Sequence, residues 1–457
     1  MRHCDVKWIG AGLAGVICSA SAAVAADVAV PVLQAAEPPP PVEQALVGDW
    51  QGLYFGAHAN FGLSNYEIGI IDEGYEVFTF DGIGGGQFSA GVLAGFDHRV
   101  GQRWVAGLEV DGAFGSGGPS LDVIVDPIAE GSAWIDTDWA ASARARVGYL
   151  TAPETLFYVS VGATVAHAVY GFEVDYDPFS EGDEEDETLY GLILAAIGAE
   201  TYVTPKLRIR YEYLTSFLHP PSFGIDDVEL KVTPLSGAAR VAAIVDLGGP
   251  NHANGHADMF GYAPDSWTGF HLGGAVGHSM ADTRYEYDDD SVFVAFDGFG
   301  GDGFVGGVFG GFDIQAGPWL VMGVEGGYYW TNVATETVYD GGFGMASVSH
   351  DSFYDIRGRV GLITGPSTMI YGVIGWAHAE GTVYAAYDGD VYADESFGRD
   401  GIEFGGGIET WLAQNVTLRA EYTRTVFDDV HDLLPPEYGH LTTTVGNATL
   451  AAVFHLG

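Results

Sequence analysis

Arginines and carboxylates recur in this chain at every second residue, a spacing that serves one of two chemistries. "RARVG" sets Arg144 and Arg146 two apart, "RIRYEYL" puts Arg208, Arg210 and Glu212 on one parity, and "GLEVDG" does the same for Glu109 and Asp111. Glu200 and Arg240 complete a first set. Glu325, Asp355, Arg357, Arg359, Glu409, Arg419 and Glu421 form a second, later in the chain. Paired carboxylates can act as general acid and base. Set against arginines in an enclosed space, the same groups instead form a structural ion network, because each buried charge then needs its partner. The network is the expected reading, since the inward charges nearly balance and no Ser–His–acid arrangement accompanies them. "GGGQFSAG" at Gly84 precedes no helix and is not read as a phosphate cradle. No catalytic residue and no cofactor are expected.

The elements that would hold these groups follow a period of two. Ala143, Ala145, Val147 and Tyr149 alternate with Ser142, Arg144, Arg146 and Gly148; Leu207, Ile209, Tyr211 and Tyr213 alternate with Arg208, Arg210 and Glu212. Leu53, Phe55, Ala57 and Phe61 oppose Tyr54, Gly56, His58, Asn60 and Gly62. Later segments repeat the pattern, with Val416, Leu418, Ala420 and Tyr422 against Thr417, Arg419 and Glu421. Bulky apolar residues thus take one face, and glycine shares the other with the charges. Glycine is useful where space is short, as inside a narrow barrel. Arginine on a lipid face would cost roughly 2–4 kcal/mol at mid-bilayer. The apolar faces are therefore expected to meet lipid and the charges to face inward.

The pattern is written twice. "DWQGLYFG" at Asp49 answers "SWTGFHLG" at Ser266, "GVLAGFD" at Gly91 answers "GVFGGFD" at Gly307, and "WVAGLEVDG" at Trp104 answers "WLVMGVEGG" at Trp319. "RARVGYL" answers "RGRVGLI", "IGAETYV" answers "GGIETWL", "RIRYEYL" answers "TLRAEYT", and "ARVAAIVDLGG" answers "ATLAAVFHLG", all in order. This is an internal duplication. The expected layout is a signal peptide at 1–25, a Pro-rich periplasmic spacer at 26–48, a first unit at 49–248, a linker at 249–265 and a second unit at 266–457. Arg2 and Lys7 before an apolar stretch, then "ASAAVAAD", carry the signal-peptide reading. Cys4 and Cys18 both lie in that segment. No run of about 18 apolar residues follows it, so no helix is expected to cross a membrane. Short connections, such as "VGQR" at Val100 and "TAPE" at Thr151, alternate with long polar ones, giving eight strands per unit. Short turns at one end and long loops at the other are the pattern of an outer-membrane barrel. Trp50, Trp104, Tyr149, Trp267, Tyr328, Trp330 and Trp411 lie near strand ends and are expected at the lipid–water interface.

Each unit resembles the OmpA-type and opacity-protein-like small outer-membrane barrels of the porin family. The features that carry the resemblance are "WQGLYFG" and "WTGFHLG", "GLE" and "GVE", "RARVG" and "RGRVG", "GAE" and "GIE". It implies eight antiparallel transmembrane strands, periplasmic termini, surface loops, residence in the bacterial outer membrane beside lipid and lipopolysaccharide, and insertion by the barrel-assembly machinery. The closing strand departs from the family by ending at Gly457 rather than on an aromatic residue. The expected fold is all-β, two tandem eight-stranded transmembrane barrels, with one sixteen-stranded barrel as the alternative.

The chain has 62 Asp and Glu against 17 Lys and Arg, a net charge of −45. This excludes nucleic acid as a partner, since phosphate needs Lys and Arg to neutralise it. With many cations committed inward, the surplus acid is expected in the loops: "EGDEEDE" at Glu181, "YDDD" at Tyr287 and "YDGDVYADE" at Tyr387. Clustered carboxylates could bind divalent cations, but none of these runs is an EF-hand loop, and no ligand is assigned. His252 and His256 with Asp258 are a weaker metal candidate in the linker. The expected role is structural and surface-presenting, without enzymatic activity. The alternatives are a passive cation-preferring diffusion porin and an adhesin or binding module acting through the loops.

Overall fold

The computed structural model describes residues 50–72, 75–125, 129–176, 179–218, 222–225, 228–247, 262–288, 292–339, 343–427 and 440–456. The signal-peptide and spacer readings, most of the 249–265 linker, His252, His256 and Asp258 lie outside them.

The chain is all β. A first lobe contains β1 (Gly52–Asp72), β2 (Tyr75–Val100), β3 (Trp104–Gly117), β4 (Ser120–Val125) and β5 (Ala129–Ala152). It continues with β6 (Thr155–Tyr176), β7 (Phe179–Thr204), β8 (Leu207–Leu218), β9 (Ser222–Ile225) and β10 (Val228–Asp246). A second lobe contains β11 (Gly269–Asp288), β12 (Val292–Gln315), β13 (Leu320–Tyr339) and β14 (Gly344–Gly365). It ends with β15 (Thr368–Tyr387), β16 (Asp390–Ala413), β17 (Val416–Phe427) and β18 (His440–Leu456).

All eighteen strands among the described residues belong to one hydrogen-bonded sheet, and those residues fall in one compact unit. This corrects the expectation of two separate eight-stranded barrels. The alternative, one sixteen-stranded barrel, is the reading that fits the single sheet, and within that sheet the wall curls back on itself at two strands. β1 is bonded to both β2 and β10, and β11 to both β12 and β18. The lobes are not separate because the segments expected as long polar loops are largely strand. "YEVFTF" at Tyr75 and "TETVY" at Thr335 carry the β-branched and aromatic residues that favour extended chain. They continue the wall as long hairpins and pair across the lobes.

Those cross-lobe pairings are reciprocal. Phe78, Thr79 and Phe80 of β2 pair with Tyr339, Val338 and Thr337 of β13. The equivalent residues of the other copy, Val294 and Phe296 of β12, pair with Val123 and Leu121 of β4. "DGIGGG" at Asp81 and "DGFGGD" at Asp297 are themselves equivalents; Ile83 of the first pairs with Phe299 of the second. Asp81 accepts from the Glu336 backbone N–H (2.9 Å), and Asp297 accepts from Ser120 Oγ (2.7 Å). Lower on the seam Thr155 meets Thr368 (2.7 Å), and the rings of Tyr213 and Tyr422 stack 6.0 Å apart. Each is the duplicate of the other. The lobes are thus related as the subunits of a two-fold dimer are, by one patch facing its own copy.

Gly84 and Gly300 approach each other closely on that seam. A Cβ on Gly84 would lie 2.8 Å from Gly300 Cα, and one on Gly300 would lie 2.9 Å from Gly84 Cα. Only glycine fits where two backbones come this near. Flanking them are Asn65 and its duplicate Asp282, each with a buried Oδ1 that lacks a hydrogen-bond partner. Asp282 lies beyond the roughly 9–11 residues a strand needs to span the bilayer. Burial and the nearby negative Asp297 push its carboxyl up to about 8, against the pull of Arg424 and Arg284. In the unfolded chain it would titrate near 4. Between those values the folded protein holds a proton that the unfolded chain has lost, so Asp282 makes stability fall as pH rises from about 4 to about 8. The slope is at most about 1.4 kcal/mol per pH unit. Asp282→Asn should remove that contribution, so its advantage over wild type should grow across the window when unfolding is followed at several pH values. An advantage independent of pH would contradict the account.

The outward face carries apolar side chains along the wall. Leu108 is 66% exposed, Val276 69% and Phe304 75%. Trp104, the first residue of β3, and Trp330, the eleventh of β13, are both exposed on this face. Trp50, Trp267 and Trp411 correct the expectation: all three are buried. They share the parity of the inward residues Tyr54, His271 and Glu409, so their rings turn into the wall and close the short-turn end. Trp50 packs edge-on against Tyr202 (4.8 Å) and donates from Nε1 to the Pro153 carbonyl (2.9 Å). Trp267 packs against Trp411 (5.3 Å).

Candidate functional site

Strand register places opposite charges side by side before any side chain turns. Glu109 lies opposite Arg144, Glu200 opposite Arg210, and Glu212 opposite Arg240. In the second lobe Glu325 lies opposite Arg357 and Glu409 opposite Arg419. All of these groups are buried, and Arg208, Arg210, Arg359 and Arg419 are among the largest fully buried side chains of the molecule.

In the first lobe Glu109 accepts from Arg144, from both Nη atoms of Arg210 (2.8 and 2.7 Å) and from Tyr54 Oη (2.7 Å). Glu200 accepts from Arg146 (2.5 Å), Arg208 (2.7 Å) and Arg210 Nε (2.7 Å). Glu212 accepts from Arg144 (2.8 Å). Arg240 donates to Asp111 (2.9 Å) and to Asn60 Oδ1 (2.7 Å). The guanidinium of Arg146 lies 5.0 Å from the ring centres of both Tyr54 and Tyr158, where the ring faces attract it.

In the second lobe Glu325 accepts from Arg357 Nη2 (2.5 Å) and Arg419 Nη1 (2.9 Å), with His271 Nε2 also at 2.9 Å. Glu409 accepts from Arg359, Arg419 Nε (3.1 Å) and Thr417 (2.6 Å). Glu421 pairs with Arg357 (2.8 Å) and accepts from Tyr371 Oη (2.6 Å). Asp355 stands further off, 3.7 Å from Arg357. All sixteen residues named from the sequence therefore fall in two clusters, one per lobe.

Sequence reasoning missed several members. Asp97 accepts from Arg146 Nε (2.9 Å) and Arg208 (3.1 Å), and Asp246 accepts from Arg208 (2.6 Å). Asp313, the duplicate of Asp97, accepts from Arg359 (3.3 Å), and Glu403 accepts from Arg357 (3.0 Å). A signal for the first pair was available: Asp97 and Asp313 end the duplicated phrases "GVLAGFD" and "GVFGGFD".

Each cluster is packed in layers. Below the first lie Trp50, Val105, Leu150, Leu156, Tyr158 and Tyr202; below the second lie Trp267, Val321, Met369, Tyr371, Val373 and Trp411. Above the first is a polar cavity of about 110 Å³ that includes Asn60, Gln87, Ser89 and Arg240. Above that is an apolar chamber of about 440 Å³ with Tyr66, Trp134, Ala168 and Leu189 in its wall. The carboxylates of the register pairs are each held by guanidinium groups, while both oxygens of Asp355 lack a hydrogen-bond partner. Among the described residues no three His, Cys, Asp or Glu converge as metal ligands. Several side chains of the acidic run at Glu181 lie outside the described residues.

Residues 260–454 match the family model described as "Outer membrane protein beta-barrel domain". The 22 kDa outer membrane protein of Rhizobium leguminosarum bv. viciae is 33% identical over 165 residues, covering 35% of this chain and 64% of that protein, so the match spans under two thirds of the relative's length. The 31 kDa outer-membrane immunogenic protein of Brucella melitensis biotype 1 is 29% identical over 176 residues, 35% of this chain and 71% of that protein. Among solved structures, Ail, the attachment invasion locus protein of Yersinia pestis, in complex with the heparin analogue sucrose octasulfate, aligns at 12% identity and a TM-score of 0.26. That alignment covers 41% of this chain and 99% of Ail. The toluene transporter TbuX of Ralstonia pickettii aligns at 10% identity and a TM-score of 0.24, over 89% of this chain and 90% of that one. None of these names is that of an enzyme.

Proposed function

Because the chain is an outer-membrane β-barrel protein, we propose that it is a surface-presented binding module, working through the acidic hairpins at its long-connection end. A transmembrane strand needs about 9–11 residues, whereas β2 and β7 have 26 each, and β5, β12 and β16 have 24 each. The wall therefore continues well past the membrane as hydrogen-bonded hairpins. That overshoot carries the reading, for it builds a rigid platform where a simple anchor needs only loops. The platform is acidic: Glu67, Asp72, Glu76, Asp122, Glu130, Glu286, Asp288, Asp390, Asp394 and Glu395 all lie on it. The partner that suits such a surface is a cationic one, a basic protein segment, drawn in by a field that salt would screen.

The diffusion-porin reading is less well supported. A conducting path would have to pass the aromatic and ion-paired layers of each lobe. The export signal at 1–25 and the spacer at 26–48 belong to the same proposal, as the route by which the chain reaches the envelope and the tether below the barrel.

The test uses the full chain. Shortening the hairpin between β15 and β16 by removing Ala385–Glu395 should weaken adhesion of a basic protein to cells displaying the chain. Raising salt should weaken the intact protein's adhesion in the same way. In planar bilayers the intact protein should give no large, stable current steps. Cation-selective steps together with adhesion indifferent to both truncation and salt would replace this reading with the porin.

A further inference from the structure

The outer seam between the lobes contains a cleft of about 990 Å³, at the upper end of the range that encloses a ligand of drug size. Tyr211, Tyr213 and Phe217 of the first lobe form one side; Val276, Phe304 and Trp330 of the second form much of the other. Val276, Phe304 and Trp330 are also strongly exposed apolar residues on the outward face of the wall. Bilayer, not water, therefore covers this cleft. Small residues, Gly306, Ala420 and Ala448, leave the space open.

One edge is polar. Tyr213 Oη and His278 Nδ1 are 2.9 Å apart, and His278 Nε2 is 3.4 Å from Asp302 Oδ2. His278 is the tenth residue of β11 from the short-turn end, and Trp330 stands at a similar height on β13. About ten residues span the bilayer, so the polar edge lies at the outer interface, level with Phe304, which pairs with His278, and with Val276 and Tyr211 beneath it. The two-fold-related flank is occupied. There Phe61, the duplicate of His278, packs edge-on against Tyr422 at 5.6 Å, and Arg424 takes the place of Thr215.

We propose that this cleft holds an acyl chain of lipopolysaccharide, the lipid of the outer leaflet, with His278 and Tyr213 meeting the hydroxyl and amide groups where the chain joins its head. The apolar walls take the chain, and the Tyr213–His278–Asp302 edge sets the depth of the head. The site joins both lobes, so an occupant bridges the seam.

Gly306 makes the test clean. A Cβ placed there would meet only the Ala275 carbonyl oxygen, at 3.7 Å, so Gly306→Phe can start a ring into the cleft from an uncrowded position. Full-length protein would be refolded in detergent with purified lipopolysaccharide or with phosphatidylethanolamine, and retained lipid counted by native mass spectrometry. The expected result is about one lipopolysaccharide per chain, little phospholipid, and binding weakened about tenfold or more in Gly306→Phe. His278→Gln should weaken it less, and both variants should keep the heat-modifiable mobility of a folded barrel. Equal retention of phospholipid, or lipopolysaccharide retained undiminished by folded Gly306→Phe, would overturn the proposal. If Gly306→Phe fails to fold, Ala420→Leu fills the cleft from the opposite wall, and its undiminished retention would overturn the proposal equally.

Discussion

Arg210→Met lowers the unfolding free energy by about 3–5 kcal/mol, the usual cost of stripping one partner from a buried ion network. The cause is not a single lost bond. Arg210 bridges Glu109 and Glu200, and it has the volume of a large side chain with none of it exposed. Methionine fills much of that volume but leaves two buried carboxylates short of a donor. Adding Glu109→Gln should restore part of the loss, because it removes one of the stranded charges. Urea titration of protein refolded into detergent micelles, read by tryptophan fluorescence, measures both. A loss under about 1 kcal/mol, the worth of an exposed pair, would mean that water reaches Arg210. The closed-bore argument against the porin reading would then fail with it.

Gly300→Val parts the lobes at their outer end. Its side chain would have to occupy the space of Gly84 Cα, 2.9 Å away, and backbone cannot swing aside as a flexible side chain can. Overpacking of this kind costs about 1–3 kcal/mol, here concentrated on the pairing of β2 with β13. Thr79 and Val338 face each other in that pairing, so cysteines at the two positions report on it directly. In the wild-type background Thr79→Cys with Val338→Cys should cross-link readily under mild oxidation. Adding Gly300→Val should slow the cross-link several-fold, on the scale of 1–3 kcal/mol, while leaving the heat-modifiable mobility intact. Cross-linking at an unchanged rate would show that the outer seam does not depend on the glycine contact.

Much of this architecture is legible in the amino-acid sequence, and the parts that are not have identifiable causes. Period-two alternation gives the strands, their inward and outward faces and the short turns, because a pleated strand must place successive side chains on opposite sides. The same rule, applied to the tryptophans, would have separated Trp104 and Trp330 from Trp50, Trp267 and Trp411. Reading all of them as interface anchors weighed their place near strand ends above their parity. Asp97 and Asp313 escaped for a different reason: each closes a glycine-rich phrase whose composition reads as backbone rather than chemistry. The cross-lobe pairing was out of reach. Nothing local to "YEVFTF" says that its partner is "TETVY", some 260 residues on. Polar content made both segments look like loops, and the error about separate barrels followed from that.

The two-fold seam has a consequence for how the copies can drift. When two identical chains meet across an axis, every change arrives in pairs, and an aspartate at the axis would confront another. Tethered copies escape that rule. One has kept asparagine at position 65 where the other has aspartate at 282, and one has phenylalanine at 61 where the other has histidine at 278. Covalent fusion thus gives a symmetric framework the freedom to specialise its flanks, so that one can be packed shut while the other stays open to a guest.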